Sequence, residues 1–253
     1  MTKTAIKERP ILFNGEMVRA ILDGHKTQTR RVIRPQPVFW PTGDGLPDAW
    51  SWSHPSATKI NSKHCGEHFN TDEIGLDGFK ELLAKCSPYG VPGDRLWVRE
   101  TWIPSLDGPR QIETGEEIYG VAYRADSGYQ FPLPEAERLW KGEADRWRPS
   151  IHMPRWASRI DLEITDVRVE RVQEITPTDC EAEGITGQSK ASPVRGQPYE
   201  EYSNGDGLVY TEPRIAFLRF WDDSIAKPGE KWDDNPWVWA YEFKVIKEAD
   251  DGS

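Results

Sequence analysis

The stretch Ser158-Arg-Ile-Asp-Leu-Glu-Ile-Thr-Asp-Val-Arg-Val-Glu-Arg-Val-Gln-Glu-Ile175 decides how this chain is built. Ile160, Leu162 and Ile164 alternate with polar residues, the period-two pattern of a strand with one buried face. After Thr165-Asp166 the alternation resumes one residue out of phase, at Val167 and Val169. Such a slip predicts a bulge or bend inside one long strand, as barrels use. Thr176-Pro177-Thr178-Asp179 follows and reads as a helix start, with Thr176 at the N-cap, Pro177 in the first helical position and an acid in the first turn. Gly184 ends that short helix. Near the end of the chain, Trp237-Val-Trp-Ala-Tyr-Glu-Phe-Lys-Val-Ile246 is a near-continuous apolar strand in which Trp237 and Trp239 belong to the core.

Working outward, Ile11-Leu12-Phe13 is a short strand, and Asn14 caps a helix through Asp23 whose apolar stripe is Met17, Ala20 and Ile21, widened by Val18 and Leu22. Gly24 stands where a helix-ending glycine belongs. Thr27–Ile33 is extended and stops before Pro35. The turn Pro92-Gly93-Asp94 leads into a strand over Arg95–Trp102, and Ile118–Arg124 is another. Helices are predicted over Asp77–Lys85 and Glu212–Ile225. Residues 35–60 read as a decorated loop, Ser127–Arg148 as loop with a helical turn near Glu135–Lys141, and Thr186–Thr211, rich in Gly, Ser and Pro, as mobile. These elements predict one α+β domain, a small β-barrel with flanking helices and long loop insertions at about 38–85, 104–148 and 187–211.

Composition narrows the class. The 253 residues hold 12 Trp, against 8 Phe and 8 Tyr, which tells against disorder. No apolar run approaches the roughly 18 residues of a membrane span, and Met1–Pro10 has no apolar core of the signal-peptide kind. Cys65, Cys86 and Cys180 are scattered and odd in number, which fits a reducing bacterial cytoplasm better than a disulfide framework. The net charge of −10 argues against a broad duplex-DNA footprint. That charge is uneven. Residues 1–35 carry eight basic residues against three acids, while residues 221–253 carry nine acids against four lysines. A local basic site on an acidic body suits an anionic or nucleotide-like ligand, and equally suits two solvated surface runs.

The densest polar cluster is Gly24-His-Lys-Thr-Gln-Thr-Arg-Arg31, at the junction of helix and strand. Lys26 and Thr29 are three residues apart, so a tight bend would turn both toward one pocket. Arg30, Arg31 and His25 would depress the pKa of Lys26. A lysine so lowered can serve a threonine hydroxyl as base. Basic residues at this place also complement a helix C-terminus with no further role.

Gly24-x-Lys26-x-x-Thr29-x-Arg31 resembles the signature of the ASCH domain family of the PUA-like superfamily, with Thr29 where that family commonly has Glu. The threonine form is similar to the small bacterial N4-acetylcytidine amidohydrolases of the family. The resemblance implies Lys26, Thr29 and a distant glutamate as catalytic residues, the glutamate aligning with Glu183 in Ile175-Thr-Pro-Thr-Asp-Cys-Glu-Ala-Glu-Gly-Ile-Thr186. Four further stretches resemble a longer phage and prophage ASCH-like group: Met17–Arg31, Tyr89–Trp102, Pro149–Arg159 and Asn235–Trp239. The likeness implies a PUA-like fold and a hydrolase that removes an acyl group from a modified nucleoside without metal or cofactor.

Substrate-binding candidates are Gly24, Arg31, Arg99, Glu100, His152 and Trp156. Arg99 and Glu100 face opposite sides of one strand, so one of them would reach the pocket. Both equally suit surface ion pairs, and His152 equally suits a turn cap. His64-Cys65-x-x-His68 with Cys86 downstream has zinc-ligand residue types but lacks the paired Cys spacing of structural zinc. Two rival functions stand beside hydrolysis. One is a non-catalytic RNA or modified-base module using Arg30, Arg31, Arg99 and an aromatic platform. The other is a phage accessory protein that contacts a host factor.

Overall fold

A computed structural model of the chain describes residues 6–40, 49–51, 75–111, 117–126, 147–191, 198–205, 207–225 and 227–248. The chain is mixed α+β. Its strands are β1 (Glu8–Leu12), β2 (Gln28–Val32), β3 (Val38–Trp40), β4 (Ala49–Ser51), β5 (Arg95–Arg99), β6 (Trp102–Gln111), β7 (Glu117–Tyr123), β8 (Ile160–Arg171), β9 (Thr186–Ala191), β10 (Pro198–Ser203) and β11 (Trp237–Glu248). The helices are α1 (Gly15–Leu22), α2 (Gly75–Lys85), α3 (Pro177–Ala182) and α4 (Pro213–Ile225). No helix among the described residues is long and apolar enough to cross a membrane.

The chain divides into two compact units, each drawn from separate stretches of sequence. The first comprises Met1–Lys7, His25–Asp94 and Glu163–Lys244. Its strand order is β8-β11-β2. β2 runs antiparallel to β11, with Val32 opposite Val238 and Thr29 opposite Tyr241. α3 and α4 bring Cys180, Phe217 and Trp221 onto a buried cluster with Val32, Ile175 and Val238. Those side chains are almost wholly removed from water, the main favourable term in this unit.

The second unit comprises Glu8–Gly24, Arg95–Leu162 and Val245–Ser253. Here the order is β1-β5-β8, with β1 parallel to β5. Trp102, Met153 and Ala157 pack together, with Val121 and Tyr123 against them. In α1, Asn14 Oδ1 accepts from the Met17 N–H at 2.8 Å, and Gly24 follows at φ +73°, the left-handed conformation expected after the helix.

The phase slip is present in β8: Ile160, Leu162 and Ile164 are buried, Thr165 is exposed, and Val167 and Val169 are buried again. Among the described residues it closes no barrel: the strand order within each unit is open. One slip bends one strand, whereas closure needs matched tilt and stagger in every strand. Two predicted loops contain hairpins instead. β3 pairs with β4 inside residues 35–60, and β9 pairs with β10 inside 186–211, with Thr186 opposite Ser203 and Ala191 opposite Pro198. β9 reads Thr-Gly-Gln-Ser-Lys-Ala and carries almost no apolar side chain, so its pairing rests on backbone hydrogen bonds that composition does not betray. The helical turn predicted near Glu135–Lys141 lies outside the described residues.

Candidate functional site

β2 is unusual for a buried strand. Gln28, Thr29 and Arg30 are each at most 3% exposed, and Lys26, just before the strand, is 1% exposed. Polar groups taken out of water must be paired or they destabilise the fold. Lys26 and Arg30 find polar partners in β8, in β2 itself and in the α3 region.

Lys26 and Glu183 face each other through an isolated antiparallel bridge. The Thr27 N–H donates to the Ala182 carbonyl at 2.8 Å, and the Thr27 carbonyl accepts from the Phe243 N–H at 2.9 Å. These bonds hold residues 26–27 between the end of α3 and β11. α3 is placed by its cap: Thr176 Oγ1 accepts from the Asp179 N–H at 3.1 Å, and the Asp179 carboxylate accepts from the Thr176 N–H at 3.2 Å. Glu183 is the residue that ends the helix. Lys26 Nζ therefore donates to the Glu183 carbonyl at 2.7 Å and to its carboxylate Oε2 at 2.6 Å.

The other Glu183 oxygen, Oε1, accepts from the Arg30 guanidinium at 3.1 Å. Arg30 lies 2.6 Å from Glu170 and 3.4 Å from Asp179, and its own side chain is fully buried. Gln28 accepts from Arg30 and donates to Asp179 at 3.0 Å. Arg168 completes the outer layer, reaching Asp179 at 3.1 Å and pairing with Glu242. The Glu183 carboxylate is thus gripped from two sides by buried cations.

Burial holds the Lys26 ammonium below the ordinary lysine value. Glu183 opposes the shift, while Arg31 and Arg30 add to it. His25, expected to contribute, is exposed and has no part in it. On the other face of β2, Thr29 is buried opposite Tyr241. The Tyr241 hydroxyl and Ser87 Oγ share a hydrogen bond of 2.6 Å, and the Arg31 guanidinium lies over the Tyr89 ring at 5.9 Å. Burial lowers Arg31 and pushes the Tyr241 phenol up.

The structure thus brings Lys26 and Glu183 into direct contact, while Thr29 and Arg31 lie on the face of β2 opposite Arg30. The remaining candidates, Gly24, Arg99, Glu100, His152 and Trp156, belong to the second unit. Glu100 is not free to read a ligand edge: it is 1% exposed, and its two oxygens accept from Arg159 at 2.9 and 3.2 Å. It also lies just beyond β5, which ends at Arg99. Arg99 lies over the Trp97 ring at 4.7 Å and donates to the Ile151 carbonyl at 3.1 Å. His152 is exposed at the end of a 3₁₀ turn, and Trp156 is 58% exposed.

Arg30 is corrected in role. Enclosed by Glu170, Asp179 and Glu183, it has no surface to offer a phosphate. Of the candidate zinc residues, His64, Cys65 and His68 lie outside the described residues. Cys86 is disulfide-bonded, which corrects the expectation of unpaired cysteines and removes its sulfur as a thiolate ligand, and Cys180 is a buried free thiol. Sequence reasoning missed Glu170, Asp179 and Arg168 as partners of the site. The signal that could have found them was the polar face of β8, where Arg168 and Glu170 alternate with buried Val167 and Val169.

The molecule is therefore defined as a mixed α+β protein with a buried lysine–glutamate pair enclosed by a charged network. Comparison with protein-family models, with curated proteins and with solved structures gives no match.

Proposed function

We propose that the chain is an amidohydrolase that removes an acyl group from the exocyclic nitrogen of a modified nucleoside, with N4-acetylcytidine as the model substrate. The observation that carries this reading is the contact of 2.6 Å between Lys26 Nζ and Glu183 Oε2, both buried. The resemblance of Gly24-x-Lys26-x-x-Thr29-x-Arg31 to the ASCH signature supports it, and the PUA-like fold is part of the same proposal.

Lys26 in its neutral form takes the proton from the attacking oxygen, either the Thr29 hydroxyl or a water that Thr29 positions. The carbonyl carbon becomes tetrahedral. Collapse breaks the C–N bond, and the Lys26 ammonium returns the proton to the departing amine. If Thr29 attacked, water then cleaves the acyl ester, so the net change is amide plus water to carboxylic acid plus amine. Glu183 holds Lys26 in line and carries charge or a proton between steps.

The test is incubation with N4-acetylcytidine and related N-acyl nucleosides, following free nucleoside by chromatography. Absence of turnover at enzyme-level concentrations refutes the substrate class. Turnover that survives Lys26→Ala, Thr29→Ala and Glu183→Ala unchanged refutes the roles.

A further inference from the structure

Arg30 occupies one of the unspecified positions of Gly24-x-Lys26-x-x-Thr29-x-Arg31, so the resemblance assigns it no role. In the fold it is buried, and each of its three guanidinium nitrogens meets an acid. Nε donates to Glu170 Oε1 at 2.9 Å, and Nη1 donates to Glu183 Oε1 at 3.1 Å. Nη2 lies 2.6 Å from Glu170 and 3.4 Å from Asp179. Gln28 accepts from Nη1 as well. The Phe217 ring of α4 lies 5.8 Å from the guanidinium carbon, and the buried Cys180 thiol of α3 is a further titratable group beside it.

Glu183 makes this arrangement asymmetric. Its Oε2 serves Lys26 at 2.6 Å, and its Oε1 serves Arg30. One carboxylate is thus shared by two cations of different chemistry. A guanidinium keeps its charge at any pH a protein meets, whereas a buried ammonium can lose its proton. When the shared site sheds a positive charge, the proton therefore leaves Lys26 and not Arg30. The charged groups facing Lys26 are Glu183, Arg31 and Arg30. Arg30 acts on it in two ways. Its charge repels the ammonium, and its hydrogen bond takes up part of the Glu183 carboxylate that would otherwise hold that ammonium. Glu170 on β8 and Asp179 on α3 fix Arg30 in the place where it does both.

We propose that Arg30 is a positioning residue of this site: it clamps the second oxygen of Glu183 and so leaves Lys26 able to exchange its proton with a substrate. Arg30 touches neither the acyl group nor the attacking oxygen and acts only through Glu183 and Lys26. The inference rests on the proposed hydrolysis for its catalytic meaning, but its effect falls on Lys26 itself and is measured without any substrate. An arginine is required because its planar fork reaches Glu170, Asp179 and Glu183 together, which a single ammonium does not.

The test uses the full chain labelled with ¹³Cε-lysine. The Lys26 resonance, identified by its absence in Lys26→Met, is followed by nuclear magnetic resonance over a pH series. Arg30→Gln is expected to raise the Lys26 midpoint by about one pH unit, which leaves about tenfold less neutral lysine at any pH well below it. Because that variant strands buried acids, Arg30→Gln/Glu170→Gln, which removes one charge of each sign, is measured beside it and is expected to move the midpoint the same way. Circular dichroism establishes that each variant is folded. Turnover of N4-acetylcytidine by the variants is expected to fall about tenfold on the rising limb of the pH profile and to recover on the alkaline plateau, with KM little changed. An unmoved or lowered Lys26 midpoint in the folded variants, a loss of turnover equal at every pH, or loss of the fold in both variants overturns the proposal. A raised midpoint in a protein that hydrolyses no N-acyl nucleoside refutes the hydrolysis alone and leaves the action of Arg30 on Lys26 standing.

Discussion

Replacing Glu183 by Gln removes one negative charge from the middle of the buried network and changes little else in shape. At 2.6 Å, Lys26 and Glu183 attract by a gross value of about 6 kcal/mol at an effective dielectric near 20. Desolvation offsets much of this in the intact pair, but the substitution leaves the lysine buried without its counter-ion, which typically costs about 3–5 kcal/mol. Arg30 keeps Glu170 and Asp179, so only Lys26 is stranded. The new side-chain amide would still offer an oxygen as acceptor, and a neutral lysine is an escape, so a loss of about 2–3 kcal/mol is expected near pH 7. The sign of its pH dependence follows from Lys26. Burial already lowers its folded pKa below the ordinary value, and the variant lowers it further. The unfolded chain then binds more protons than the folded one throughout the interval between the lowered value and about 10.4, so stability rises with pH there. The penalty of Glu183→Gln is therefore largest at neutral pH and shrinks as the unfolded lysine also loses its proton. Equilibrium urea unfolding at several pH values measures this, and Lys26→Met with the double variant gives the coupling. A loss below about 0.5 kcal/mol that does not change with pH is the behaviour of an exposed pair, and it would refute the reasoning.

Arg159→Met strands Glu100 in the same way, and burial already holds the Glu100 carboxyl above the usual range. The loss of roughly 3 kcal/mol expected at neutral pH shrinks as pH falls and Glu100 gains a proton in the folded state before it does so unfolded, which denaturation at pH 5 and 7 compares. Gly90→Ala is expected to cost more than about 1 kcal/mol and lower the melting temperature, because Gly90 has φ +123° and an added Cβ would stand 2.7 Å from the Asp94 carboxylate. Thr29→Val keeps the shape but removes a buried hydroxyl, so a stability loss of about 1–3 kcal/mol is expected while hydrolysis of N4-acetylcytidine is lost; retained turnover would free the hydroxyl of its role. Wild-type turnover should rise with pH through a midpoint below that of an ordinary lysine, because the base must be neutral, and a flat profile in that range counts against Lys26.

Much of the architecture was legible because its signals are local. Thr176, Pro177 and Asp179 cap α3 as their chemistry dictates, Asn14 and Gly24 bracket α1, and the slip at Thr165-Asp166 is visible in β8. The contact between Lys26 and Glu183 was not readable from spacing, since 157 positions separate the two; it came only with the family resemblance. What failed were inferences about closure and partnership. Whether a sheet closes depends on every strand at once, and β9 forms with scarcely any apolar side chain. Arg30 and Glu100 looked available because sequence shows a charge and not the counter-charge folded against it.

The counter-charges folded against Arg30 change what ligand the proposed site should hold. The eight basic residues of the first 35 suggested an anion. Around Glu183, however, the cations Lys26, Arg30 and Arg31 are set against the anions Glu170, Asp179 and Glu183. The charges nearly cancel, and Arg30 is sealed within them, so little field remains to draw in a phosphate. A buried, nearly balanced network instead offers fixed dipoles and one lysine whose proton is loosely held. Such an environment suits a neutral acyl amide, whose charge develops only as the carbonyl is attacked, when orientation already in place stabilises it most. A phosphate would have to break an existing pair to enter, whereas an amide needs only room beside it.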